Sequence, residues 1–135
     1  MDVMERVVRD FYAARERRDW AAVRGLLAPD VIWREKDGTD YSGDHNGRDT
    51  VAGLLARLVE ITGGTFTLEP RELICTAEHV AATVRWRAER GGTQVEGYDL
   101  AVFRIADGQI AEAWFFADGF DPQALSEVFS FAASA

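Results

Sequence analysis

Residues 95–119, VEGYDLAVFRIADGQIAEAWFFADG, decide the fold. They read as two long strands joined at Ala106-Asp107-Gly108-Gln109, because Asp-Gly supplies the positive backbone angles of a tight hairpin turn. Successive strand side chains point to opposite faces. One face of the first strand carries Val95, Gly97, Asp99, Ala101, Phe103 and Ile105; the other carries Glu96, Tyr98, Leu100, Val102 and Arg104. Glu96 and Arg104 mark the second face as the outer one. Asp99 is then the one charged residue in an apolar, inward row. A carboxyl facing a core is costly unless it is neutral, paired or functional.

The flanking segments extend this hairpin into a meander. Strands are expected over 65–76, 79–90, 94–106 and 109–118, with turns at Ala77-Glu78, Gly91-Gly92 and Asp107-Gly108. The strand after His79 alternates Val80, Ala82, Val84, Trp86 and Ala88 against Thr83, Arg85 and Arg87. Before the meander, helical spacing of Val3, Val7, Val8, Phe11 and Ala14 predicts a helix over 3–17, capped by Asp2, with Tyr12 at the edge of its buried stripe. A short helix is expected from Trp20 to Leu27, ended by Ala28-Pro29-Asp30. A strand from Val31 to Lys36 puts Val31, Trp33 and Glu35 inward and Ile32, Arg34 and Lys36 outward. The segment DGTDYSGDHNG reads as a polar, mobile surface loop carrying His45. A long helix over 48–62 stops at Gly63-Gly64. A last helix is expected within 121–131, with Asp121 as its cap and Pro122 at its first position.

The chain has 135 residues, 47% hydrophobic and 28% charged, which suits one domain with one core. Its net charge of −8 repels nucleic-acid backbones and anionic membranes, so neither is an expected partner. A single cysteine, Cys75, excludes an internal disulfide and reads as a small core residue. No apolar run is long enough to span a bilayer, and the amphipathic N-terminus is not a signal peptide, so the expected location is cytoplasmic. Two distant histidines and scattered acids give no metal-ligand spacing, and no phosphate-cradling or dinucleotide motif is present. No cofactor or metal is expected. The outer row Leu100, Val102, Trp114 and Phe116 is a large apolar surface, and predicts a homodimer through the outer face of the sheet.

Three strings carry a family resemblance: DWAAVRGLLAPDVIW, GRDTVAGLLARLVEITGG and FRIADGQIAEAWFFAD. With the element order, they resemble the SnoaL-like and ketosteroid isomerase-like branch of the nuclear transport factor 2-like superfamily, over about Val7 to Asp118. The resemblance implies an α+β fold: one cone-shaped domain over 1–135, with a curved antiparallel sheet wrapped around N-terminal helices. Isomerases of that branch use a carboxylate base near the end of the first strand, with a tyrosine and a protonated aspartic acid stabilising an enolate. By resemblance Glu35 takes the base position, Tyr12 that of the tyrosine, and Asp99 that of the aspartic acid within two residues, a shift that preserves its face. The cyclases' histidine and acid near the last strand are replaced here by Glu112-Ala113-Trp114-Phe115. The last acid of the epoxide hydrolases' Asp-Arg-Asp set is replaced by Phe116.

These residues point to proton abstraction beside a carbonyl, on an apolar steroid-, polyketide- or terpenoid-like substrate. Trp33, Leu58, Trp86, Phe103, Ala113 and Phe115 would wall the pocket, and His45 would close over its mouth. Two other readings stand beside this one. Glu35 and Asp99 are structural carboxylates in a non-catalytic binding protein, or the aromatic residues fill the cone of an interaction domain.

Overall fold

The computed structural model describes residues 2–36 and 39–132; Asp37 and Gly38 of the expected loop lie outside the described residues. The elements are α1 (Val3–Glu16), α2 (Trp20–Gly25), β1 (Leu27–Glu35), β2 (Gly43–Asn46), α3 (Arg48–Ile61), β3 (Thr67–Cys75), β4 (His79–Arg90), β5 (Thr93–Ala106), β6 (Gln109–Asp118) and α4 (Pro122–Val128). The architecture is α+β: one six-stranded curved sheet in the order β2-β1-β6-β5-β4-β3, wrapped against the N-terminal helices.

Local chemistry sets the helix ends. The Asp2 carboxylate accepts from the amides of Met4 at 2.8 Å and Glu5 at 3.4 Å, meeting donors the first turn of α1 cannot pair itself. At its other end, Arg18 adopts a left-handed conformation (φ 60°) and the Asp19 amide donates back to the Ala14 carbonyl at 3.0 Å, a closure usually made by glycine. The Arg18 guanidinium offsets that strain by donating to the carbonyls of Arg15, Gly64 and Phe66, each at 3.2 Å. The end of α1 is thereby tied to the connection between α3 and β3.

The hairpin turn has Asp107 and Gly108 both at positive φ (53° and 73°), as the Asp-Gly pair requires. The β3-β4-β5-β6 meander is antiparallel throughout. The sheet as a whole is mixed, because β1 lies parallel to β6. Burial follows the expected parity. Val95, Gly97, Ala101 and Phe103 of β5 are buried, whereas Tyr98 and Leu100 are 56% and 45% exposed; on β6 Phe116 is 49% exposed. Cys75 is half-buried against the core.

Two local expectations are corrected. The first strand begins at Leu27, not Val31, and α2 ends at Gly25. Pro29 lies where the β1–β6 register is irregular, between Leu27 and Ile32, so its missing N–H breaks no regular ladder. The segment expected to be a mobile surface loop contains β2, whose residues Gly43 to Asn46 pair with Glu35 to Ile32, and Tyr41 in it is buried. A four-residue edge strand rich in glycine, aspartate and asparagine has turn composition, and such short, polar edges also resist pairing with other chains.

The C-terminal segment is tied to the end of β4, to α3 and to the segment before β2. Arg90 donates to the carbonyls of Val128, Ser130 and Ala132. The Phe131 amide donates to the Asp40 carboxylate at 2.8 Å, and the Arg57 guanidinium stacks 4.0 Å from the Phe131 ring. Phe129 is thereby held inside, edge-on to Phe66 at 5.0 Å and Tyr41 at 5.6 Å.

Candidate functional site

The two inward acids each carry an indole. Glu35 is the last residue of β1, and Trp33, two residues earlier on the same face, donates its Nε1–H to Glu35 Oε1 at 2.9 Å. Asp99 lies mid-strand on β5, between Val84 and Ala117. Trp86 of β4 donates its Nε1–H to Asp99 Oδ1 at 3.2 Å. Trp86 reaches Asp99 by lying across Gly97, its cross-strand partner. A Cβ at Gly97 would stand 2.7 Å from Trp86 Cζ2 and 3.0 Å from the Asp118 carbonyl oxygen. Glycine is required there for space, not for backbone angle.

Both acids line one narrow cavity of about 30 Å³, room for one or two waters. Its apolar wall is Trp33, Leu55, Leu58, Phe66, Leu68, Trp86, Phe115, Ala117 and Phe129, with Tyr41 and Arg15 completing it. A wider hollow of about 360 Å³ adjoins it, lined by Glu35, Lys36, Phe115, Phe116, Ala117 and Phe120. Glu35, Phe115 and Ala117 belong to both. Glu35 thus stands at the seam between an outer vestibule and an inner recess.

Arg15 was not singled out in the sequence. It is 5% exposed, on the buried face of α1, with its guanidinium carbon 5.7 to 6.0 Å from the ring centroids of Phe11, Tyr12, Trp33 and Phe66. Burial pulls its pKa down, and Tyr12, Glu35 and Asp99 push it back up. A guanidinium keeps its charge in such a setting. The site therefore opposes one buried cation to two carboxylates. The signal was available: Arg15 falls four residues after Phe11 and seven after Val8, inside the apolar stripe of α1. The other unforeseen lining residues, Tyr41, Leu55, Phe66, Leu68, Ala117 and Phe129, gave no comparable signal, since Tyr41 sits in a polar segment and the rest read as ordinary core or strand residues.

The remaining expected site residues divide clearly. Trp33, Leu58, Trp86 and Phe115 line the cavity with Glu35 and Asp99. Phe103 and Ala113 are fully buried behind that wall. Tyr12 is also behind it, edge-on to Phe11 and Phe103 at 5.8 and 6.0 Å. Burial holds the Tyr12 hydroxyl well above the usual phenol range; Arg15 lowers it in part, while Asp99 and Glu35 raise it further. His45 faces Trp33 across the β1–β2 pair, but its Nε2 lies 2.7 Å from the Tyr41 carbonyl oxygen and the ring does not line the cavity. Among the described residues, no group of three or more His, Cys, Asp and Glu side chains is placed to hold a metal ion, and no helix is long and apolar enough to cross a membrane.

A family model, the SnoaL-like domain, matches residues 8–113. The chain belongs to this family. Solved structures agree on the fold of this SnoaL-like domain. A nuclear transport factor 2-like protein of unknown function from Burkholderia pseudomallei is 26% identical with a TM-score of 0.78, covering 96% of this chain and 98% of that one. TerC, co-crystallized with polyporic acid, is 22% identical with a TM-score of 0.80, covering 95% and 98%. A candidate polyketide cyclase from Xanthomonas campestris pv. campestris is 22% identical with a TM-score of 0.69, covering 95% and 96%. No curated protein matches the sequence.

Proposed function

We propose that this SnoaL-like domain is a cofactor-free enzyme of the isomerase or cyclase kind, moving a proton beside a carbonyl of an apolar steroid-, polyketide- or terpenoid-like substrate. One observation carries the reading: Glu35 and Asp99, from strands distant in sequence, converge with a buried arginine on one aromatic-walled recess. Structural carboxylates need no such convergence, whereas acid–base chemistry does. Glu35 serves as the base. It is the acid that lines both vestibule and recess, so a substrate arriving from the vestibule meets it first. Asp99 shapes the inner end of the recess, and Tyr12 stays a neutral phenol behind the wall. The likeness to a candidate polyketide cyclase and to a protein crystallized with an organic acid fits this class of ligand.

The test is turnover and binding by Glu35→Gln, across a panel of ketosteroids and polyketide fragments. Turnover is expected to fall by about 100-fold or more while ligand-induced thermal stabilisation persists. Undiminished turnover overturns Glu35 as base. A second reading, a non-catalytic binding protein, is favoured by the narrow recess and by Ala113 and Phe115 on the strand where relatives carry acids. It predicts thermal stabilisation that ignores both Glu35→Gln and Asp99→Asn, with no turnover of any substrate in the panel.

A further inference from the structure

The proposed reaction leaves Arg15 without a task, and its setting gives it one. Burying a guanidinium carries a desolvation penalty that an apolar residue would avoid. The Arg15 guanidinium carbon stands 5.7 to 6.0 Å from the four ring centroids, and the cavity Arg15 lines has room for a small polar group. A substrate too large for that recess can rest its apolar body in the 360 Å³ vestibule and insert only an oxygen-bearing end. That end passes Glu35 at the seam and meets Arg15 inside.

We propose that Arg15 is the residue that receives the substrate's carbonyl oxygen and holds it as an enolate, so that the substrates are neutral apolar ketones or 1,3-dicarbonyls with one narrow oxygen-bearing end. This rests on the reading of the pocket as a proton-transfer site. The C–H bond next to the carbonyl breaks, its proton goes to a Glu35 oxygen, and its electron pair moves into a new C=C bond. The carbonyl oxygen becomes the anion and accepts from the guanidinium. Negative charge passes from Glu35 to an oxygen beside a fixed cation, so the net charge of the recess is unchanged. Such a preorganised donor acts mainly on the charge that develops during reaction. Returning the proton from Glu35 to another carbon completes an isomerisation.

A stable mimic tests this without turnover. 4-Nitrophenol offers a narrow hydroxyl end, and the visible absorption of its phenolate reports whether that end is ionised. It is titrated into the full chain, buffered below the pKa of the free phenol. Wild type is expected to bind it with the phenolate band; Arg15→Met is expected to lose the band and to bind on the order of tenfold more weakly or worse. Arg15→Gln, polar but uncharged, gives the same readout should methionine disturb the fold, which circular dichroism checks. Binding as the neutral phenol by wild type, or equal phenolate bands in wild type and variant, overturns the role of Arg15 and leaves the pocket reading standing. No uptake by wild type removes both. Undiminished turnover in Glu35→Gln with an intact phenolate band removes the base and keeps Arg15.

Discussion

Adding one methyl group at Gly97 interrogates how the inner wall is held. The new Cβ would stand 2.7 Å from Trp86 Cζ2, 3.0 Å from the Asp118 carbonyl oxygen and 3.1 Å from Phe120 Cβ. Ordinary contact begins near 3.4 Å, so the indole must retreat by about 0.7 Å. It has little freedom to do so, being buried with Phe120 at 6.1 Å and Phe129 at 6.4 Å from its ring. Its bond to Asp99 is already 3.2 Å long, so a shift of that size breaks it. Overpacking costs about 1–3 kcal/mol, and a lost hydrogen bond to a carboxylate about 1.5–3 kcal/mol. Retreat relieves part of the first by forfeiting the second, which leaves about 2–4 kcal/mol for Gly97→Ala. At about 4 °C per kcal/mol for a domain of this size, the melting temperature falls by roughly 8–16 °C. The assay is thermal unfolding followed by circular dichroism, in wild-type and Trp86→Phe backgrounds. Phenylalanine lacks the ring edge that the methyl strikes, so the cost of Gly97→Ala is expected to drop there to about 1 kcal/mol, a coupling of at least about 1 kcal/mol. Equal losses in both backgrounds would refute the reasoning, because the strain would then lie in the backbone and not against Trp86.

Three further outcomes follow from other parts of the molecule. Phe129→Ala removes a buried ring of the recess wall and is expected to cost about 3–5 kcal/mol, read from the urea midpoint; a loss under about 1 kcal/mol would mean the ring contributes little to the packing of that wall. Glu112 is bonded to Arg34 and, at 3.0 Å, to Arg104. Its hydrogen bond from Arg34 holds its pKa below the ordinary glutamate range; burial, the next-largest effect, opposes this, and Arg104 adds to the lowering. The stability it contributes is therefore present above the ordinary glutamate range and fades as pH falls through the lower folded value. Glu112→Gln should flatten the acid side of the stability–pH curve, and parallel curves for wild type and variant would count against the network. Finally, if two copies pair through the outer row of Leu100, Val102, Trp114 and Phe116, Phe116→Glu should shift the sedimentation of the chain to that of a single copy; a single-copy wild type would dispose of the idea.

Much of this was legible because strand parity is strict. Asp99 and Glu35 were placed inward from alternation alone, and a one-residue error in either would have turned the side chain to solvent. Helical spacing found α1 and α3 because their apolar stripes are continuous. Legibility failed where composition and position disagree. β2 has the residues of a turn and is a strand only because the exposed edge of β1 gives it a ladder to join. Arg15 occupies an apolar position of α1, and a charge there breaks the pattern that periodicity looks for. Tyr12 shows the converse limit: the resemblance placed it at a reacting position, but it packs edge-on to Phe11 and Phe103, one layer behind the cavity. Which side chain in a packed wall faces the space is settled by packing, and no local pattern records it.

The indole arrangement has a practical consequence. Of the four tryptophans, Trp33 and Trp86 line the recess, while Trp114 sits on the outer face beside Arg34, 5.3 Å from its ring, and Trp20 opens α2. The chain thus carries its own optical labels, two inside and one on the face proposed to pair. With phenylalanine at 20 and 114, emission would report only on the recess, since anything entering it must touch an indole whose N–H is already bonded to an acid. Keeping Trp114 alone would instead report the approach of a second copy. Ligand entry and self-association, otherwise hard to tell apart in a small protein, can therefore be watched separately, in two variants that keep different indoles.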